Sequence, residues 1–179
     1  DIVTFTDFLN LNEQNMLATL KLRQMGVSVK LFGGYDHAER QMAAFYPGTV
    51  GFSWEYPIDC LKITPKALRF SEELGHRDYL GAILNLGVDR SVVGDILIKD
   101  KEAWVFCLHK MSDFFIDNLV RVRHTTVLVT RVEQAEEIPE PQFEAISGTC
   151  ASVRLDSLIG LAFPVSYTHL RAHETDSYL

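Results

Sequence analysis

His76, Arg77 and Asp78 stand side by side just ahead of an apolar-periodic stretch. At a helix N-terminus a carboxylate complements the dipole and accepts from free backbone N–H groups, which gives Asp78 a capping role. His76 and Arg77, beside those same N–H groups, are placed for a phosphate contact. A second basic group, Arg121, Arg123 and His124, leads into a β-branched run that carries Arg131 further along. Such a cluster is either solvated surface or a further set of phosphate contacts. Phe32-Gly33-Gly34-Tyr35-Asp36-His37 reads as a strand, a glycine turn and a helix start. It lacks both the G-x-G-x-x-G and the Walker spacing, so a tight turn is preferred over a phosphate cradle. Arg154-Leu155-Asp156 pairs a cation with a carboxylate ahead of the apolar Leu158-Ile159-Gly160-Leu161.

Several chemistries are excluded by what surrounds these groups. His76-Arg77-Asp78 is not a phosphotransfer loop: Asn85 is at the wrong spacing, and no Asp-Phe-Gly or Gly-rich loop accompanies it. Cys60, Cys107 and Cys150 lie more than forty residues apart in apolar surroundings, which points to core thiols rather than a disulfide framework or a zinc site. Neither a metal nor a cofactor is expected. A reducing, cytoplasmic compartment follows. No uninterrupted apolar run is long enough to span a bilayer, and the N-terminus has no basic start and no apolar segment of a signal peptide. Asp1 stands where a starting Met is absent, so the chain is read as beginning inside a longer protein.

The net charge of the 179 residues is −7, which at face value argues against nucleic acid. The charge is unevenly spread. Residues 60–133 hold 11 basic and 10 acidic side chains plus three histidines, so a locally basic face is allowed there. Apolar residues make up 47% and charged residues 23%, ordinary for a globular chain with a core of its own.

The elements that must position these side chains are read from periodicity. Asn12–Met25 has helical spacing, with Asn10 or Asn12 as its cap and Gly26 as its stop. Val27–Phe32 alternates as a strand, Asp36–Phe45 reads as a second helix, and residues 50–56 as a second strand. Residues 1–57 are therefore a small α+β unit. Residues 58–133 follow as strand (59–63), helix (77–86), strand (95–98), strand (102–107), helix (110–120) and strand (125–132), with Lys99-Asp100-Lys101 as a hairpin turn. That order is the βαββαβ, ferredoxin-like arrangement, similar to an RRM. Trp104, Phe106 and Leu108 alternate with Ala103, Val105 and Cys107, so both faces of that strand are apolar. One face packs on the helices. The other is buried against the first unit, presents aromatics to bases, or docks a protein partner; burial is preferred, because Lys101–Phe106 lacks the RRM aromatic pattern. Residues 134–142 form a Glu- and Pro-rich linker. Residues 143–163 hold a strand and a helical pattern from Arg154 to Phe163. Residues 164–179 lack apolar periodicity and are read as non-native sequence.

Arg154-Leu155-Asp156 resembles two motifs. One opens the catalytic motif of pseudouridine synthases, with Asp156 as the carboxylate, but the Thr/Ser-rich turn that follows there is missing. The other opens the first helix of the S-four-type RNA-binding domain, and the apolar residues that follow fit it better. A wider set of segments then resembles one family, the bacterial YlmH proteins. It comprises Phe5-Thr6-Asp7-Phe8-Leu9, Phe32-Gly33-Gly34-Tyr35, Ala38-Glu39-Arg40, Tyr46-Pro47, Gly75–Ala82, Gly94-Asp95-Ile96-Leu97, Ile146-Ser147-Gly148-Thr149 and Arg154-Leu155-Asp156. The resemblance runs in order from residue 5 to residue 163. It implies an N-terminal α+β region, an RRM-like middle domain and an S-four-type domain of which only the opening is present. It also implies non-enzymatic binding of ribosomal RNA or tRNA on the large ribosomal subunit, in translation quality control, with genes lying near cell-division genes. The expected RNA contacts are Arg154, then His76, Arg77, Arg121 and Arg123.

Overall fold

Two antiparallel sheets carry the chain's described part. The structure is a computed structural model, and it describes residues 3–48 and 53–140. The first sheet contains β1 (Thr4–Leu9), β2 (Val27–Phe32) and β3 (Gln41–Pro47), in the order β1-β3-β2. The second contains β4 (Ile58–Pro65), β5 (Val93–Lys99), β6 (Glu102–Leu108), β7 (Arg121–Val122) and β8 (Thr125–Arg131), in the order β5-β6-β4-β8-β7. Helix α1 (Leu11–Thr19) follows β1. Helices α2 (His76–Leu84) and α3 (Ser112–Asn118) join β4 to β5 and β6 to β7. The class is α+β.

Local chemistry explains most of these boundaries. Asn10 caps α1 through a reciprocal pair: its side chain accepts from the Glu13 N–H, and Glu13 accepts from the Asn10 N–H, both at 2.8 Å. The helix stops at Thr19, and a single 3-10 turn, Leu22–Met25, closes on Gly26 at φ +74°. The β5–β6 hairpin turns on Asp100 and Lys101, both at positive φ, as a two-residue turn between paired strands favours.

Two expectations fail. Asp36–Phe45 is not helical: a loop with His37 at φ +65° leads into β3, the central strand of the first sheet. Met42, Ala43 and Ala44 are buried there between two partner strands, and pairing on both sides overrides their helix propensity. The expected strand at 50–56 is absent over residues 53–56, while 50–52 lie outside the described residues. β1, which flanks β3, carried no strand assignment at all.

Strand β6 is the wall shared by two cores. Ala103, Val105 and Cys107 pack with Tyr79 and Ile83 of α2 and with Phe115 and Leu119 around α3. Trp104, Phe106 and Leu108 face the other way and pack with Phe8 of β1 and Met42 of β3. The outward aromatic face is therefore covered by the first sheet. It is open neither to bases nor to a docking partner.

The covering is latched at one point. Asp95 of β5 accepts from the Tyr35 hydroxyl (2.7 Å) and the Glu39 N–H (2.7 Å) on one oxygen, and from the Arg40 N–H (3.0 Å) on the other. Arg40 returns the contact, donating to the carbonyls of Val93 (3.0 Å), Arg90 (3.2 Å) and Phe8 (3.3 Å). Burial, then the bond to Asp95, pushes the Tyr35 hydroxyl pKa up, so Tyr35 stays a donor. Its ring stacks on Phe106 with centroids 4.8 Å apart. Gly34 sits at φ +99°, where an added Cβ would lie 2.4 Å from Phe106 Cδ1. A Cβ on Gly94 would lie 2.7 Å from Phe8 Cε1. The glycine turn at 33–34 thus lets two layers approach.

Gly34→Ala combines overpacking with a disfavoured backbone and should cost about 2 kcal/mol or more in urea unfolding. Asp95→Ala strands three donors and should cost about 3 kcal/mol. An unchanged midpoint for either would contradict the latch.

Candidate nucleic-acid interface

Helix α2 begins at an extended Gly75, whose N–H donates to Asp78 Oδ2 at 2.8 Å. Asp78 therefore caps the helix, as its place in the first turn implies. His76 and Arg77 are the first two helical residues, and both are exposed. Across from them the chain leaves α3 and forms β7. Val122 is fully buried in the core, so its neighbours Arg121 and Arg123 are turned outward by strand alternation. Arg123 and His124 make the two-residue turn into β8, with Arg123 at φ +50°.

The two segments are tied together. Arg123 Nη1 reaches Asp78 Oδ1 at 3.4 Å. The His124 N–H donates to Glu72 Oε2, and the Glu72 N–H donates to Thr125 Oγ1, both at 3.3 Å. Between α2 and β7 runs a groove of about 540 Å³, lined by Arg77, Asp78, Asn85, Asn118, Arg121 and Arg123 among others. Three of the five expected contact residues thus share one groove. His76 stands at the same helix end without lining it. Arg154 lies outside the described residues, as do Asp156, Cys150 and the segment 143–163.

One part of this surface has no counterpart among the motifs. Between β4 and α2 the chain runs Lys66-Ala67-Leu68-Arg69-Phe70, and all five residues are exposed. Two apolar residues interleaved with two cations in a loop, outside any periodic stretch, are the signal that could have found it.

Other groups that could react are held for structure. Burial pushes the thiols of Cys60 and Cys107 up to about 12, so neither is a nucleophile near neutral pH. Asp59 accepts from Ser112 Oγ and meets His109 Nδ1 at 2.9 Å and Arg131 Nε at 3.2 Å. Ser112 and His109 meet the same carboxylate oxygen rather than each other, which is not a nucleophile–base relay. Among the described residues no His, Cys, Asp and Glu side chains gather as a metal site.

Comparison with known proteins defines the class first. Residues 54–136, which include α2, β7 and the groove, match the family described as "Putative RNA-binding domain in YlmH". A curated relative, "Ribosome-associated protein quality control protein P2" of Bacillus subtilis (strain 168), is 28% identical over 166 residues. The match covers 86% of this chain, and the chain spans 59% of that relative's length. "Cell division protein ylmH from Streptococcus pneumoniae" shares the fold, with a TM-score of 0.62 and 24% identity over 77% of this chain and 83% of that one. The resemblance to the YlmH proteins read from the motifs is thereby shown over residues 54–136, and the relatives that match more of the chain are similar to it at 28% and 24% identity.

The two buried thiols make stability fall at alkaline pH. The folded state keeps protons that the unfolded thiols release above their ordinary value of 9.0, so unfolding releases protons there. The thiol contribution is full below about pH 9. It should decline by about 1.4 kcal/mol per pH unit for each thiol as pH rises toward 12. Urea midpoints from pH 8 to 11 check this, and Cys107→Ala should flatten the decline.

Proposed function

We propose that this chain is a non-catalytic RNA-binding factor that associates with the ribosome. Its contacts would be to ribosomal RNA, tRNA or both on the large subunit, in a cytoplasmic quality-control role. What carries this reading is the gathering of Arg77, Arg121 and Arg123 on one groove, within the segment that matches an RNA-binding family. Guanidinium groups suit phosphate because their planar fork offers paired donors. His76 adds a further contact beside the free N–H groups at the start of α2, and Arg154 extends the contact into the S-four-type segment.

The same reading extends to architecture. The order β5-β6-β4-β8, with α2 and α3 as the crossovers, supports a ferredoxin-like, RRM-like domain over residues 58–133. Ahead of it stands the α+β unit of residues 1–57. After it comes the linker proposed at 134–142; residues 141–179 lie outside the described residues. In an ordinary RRM the sheet's aromatic face stacks bases. Here the first sheet, together with Val132 and Ile138 after β8, covers that face, so the binding is assigned to the cationic rim at α2 and β7.

Because the whole chain is acidic, attraction to RNA must be local and salt-sensitive. Co-sedimentation with purified large ribosomal subunits across a salt titration tests it. Binding should weaken steadily with salt. Arg77→Ala, Arg121→Ala and Arg123→Ala should each lower the slope of log affinity against log salt by about one, regardless of RNA sequence. Pelleting that ignores salt, or slopes unchanged in all three variants, would overturn the assignment.

A further inference from the structure

Phe70 is 83% exposed and Leu68 beside it 63%, the former being the most exposed large apolar side chain among the described residues. They are held in place. Leu68–Phe70 is a 3-10 turn, closed by the Phe70 N–H on the Ala67 carbonyl (3.2 Å) and by Ser71 Oγ on the Leu68 carbonyl (2.9 Å). Lys101 Nζ donates to the Ser71 carbonyl at 3.1 Å. The Lys66 N–H donates to the Thr126 carbonyl at 2.9 Å, which anchors the loop's start to β8 next to the Arg123 turn. The loop therefore presents the ring on a fixed platform, and Glu72, two residues on, ties it to His124 and Thr125 beside Arg123 of the groove.

Its chemistry selects the occupant. From Lys66 to Ser71 the loop carries two cations, Lys66 and Arg69; of the two acids that follow, Glu72 is engaged by the His124 N–H and Glu73 lies beyond it. An exposed aromatic ring flanked by cations is the combination that holds a base by its π-face and its backbone by charge. A duplex offers no free base face, because each is stacked on its neighbours. We infer that Phe70 is a base-stacking side chain, and that the loop Lys66–Phe70 with the neighbouring arginine groove takes an unpaired nucleotide of RNA rather than a duplex. This inference rests on the RNA-binding reading above and narrows its ligand to single-stranded or looped RNA.

The test uses the full chain and two RNA probes of about twelve nucleotides with the same mixed sequence, one single-stranded and one annealed to its complement. The single strand carries 2-aminopurine, whose fluorescence falls when it stacks on a ring. Wild type should prefer the single strand. Phe70→Ala should lose roughly tenfold or more of that affinity, together with the quench, while duplex affinity and salt slope stay unchanged. Phe70→Trp should retain both. Thermal melting of Phe70→Ala should match wild type, because the exposed ring supports no core. If wild type binds and Phe70→Ala keeps its single-strand affinity and quench, the stacking inference is overturned and the RNA-binding reading survives. If wild type binds neither probe, both are overturned.

Discussion

The Asp95 carboxylate is the contact on which the arrangement of the described residues turns. It draws a hydroxyl and two backbone N–H groups from the 35–40 loop onto an edge strand of the second sheet. Arg40, within the same loop, donates to the Val93 and Arg90 carbonyls on the far side and to the Phe8 carbonyl of β1 on its own side. A carboxylate meeting several oriented donors gains more than neutral pairs do, and it fixes direction as well as distance. Once the loop is held, Tyr35 lies on Phe106, and the first sheet closes over the aromatic face of β6. The cationic groove, by contrast, is lined wholly by α2 and the end of α3, with the residues just after each, and by β7 with its turn; it takes no residue from the first sheet.

The sequence was most legible where a pattern is local. The alternation of 102–108 announced two apolar faces, and the structure fills both. The acid at position 78 announced a helix cap, and Gly75 donates to it. The hairpin at 99–101 and the stop at Gly26 follow from turn chemistry within a few residues. Asp36–Phe45 was illegible because Met42, Ala43 and Ala44 are good helix formers, and only their pairing with β1 and β2 makes them a strand. β1 has no pattern of its own: Phe8 alone of its six residues is buried, and pairing with β3 makes it a strand. Phe70 escaped notice because an exposed aromatic looks like any apolar residue in a sequence; its meaning depends on its not being packed.

The family motifs divide in the same way. Phe32–Tyr35 and Ala38–Arg40, close neighbours in sequence, meet the distant Gly94–Asp95 at the latch, so their chemistry is that of assembly. Gly75–Asp78 opens a helix whose first exposed side chains are a histidine and an arginine. The resemblance marked all of these alike. Only the geometry separates the residues that hold the layers together from those that face outward, and it does so by burial and by the direction of each hydrogen bond.

The position of β6 has a consequence for how the chain is made. A ribosome releases residues in order, and the inner face of the first sheet emerges well before Phe106 that covers it, Met42 by about sixty residues and Phe8 by about a hundred. Until β6 follows, that apolar face lacks Trp104, Phe106 and Leu108, and the Tyr35–Asp95 bond must wait for β5. The first sheet is thus an unfinished half that waits on its own continuation. Contacts so distant along the chain make for slow folding and leave an early product open to wrong pairing. The chain's two layers mature together or not at all.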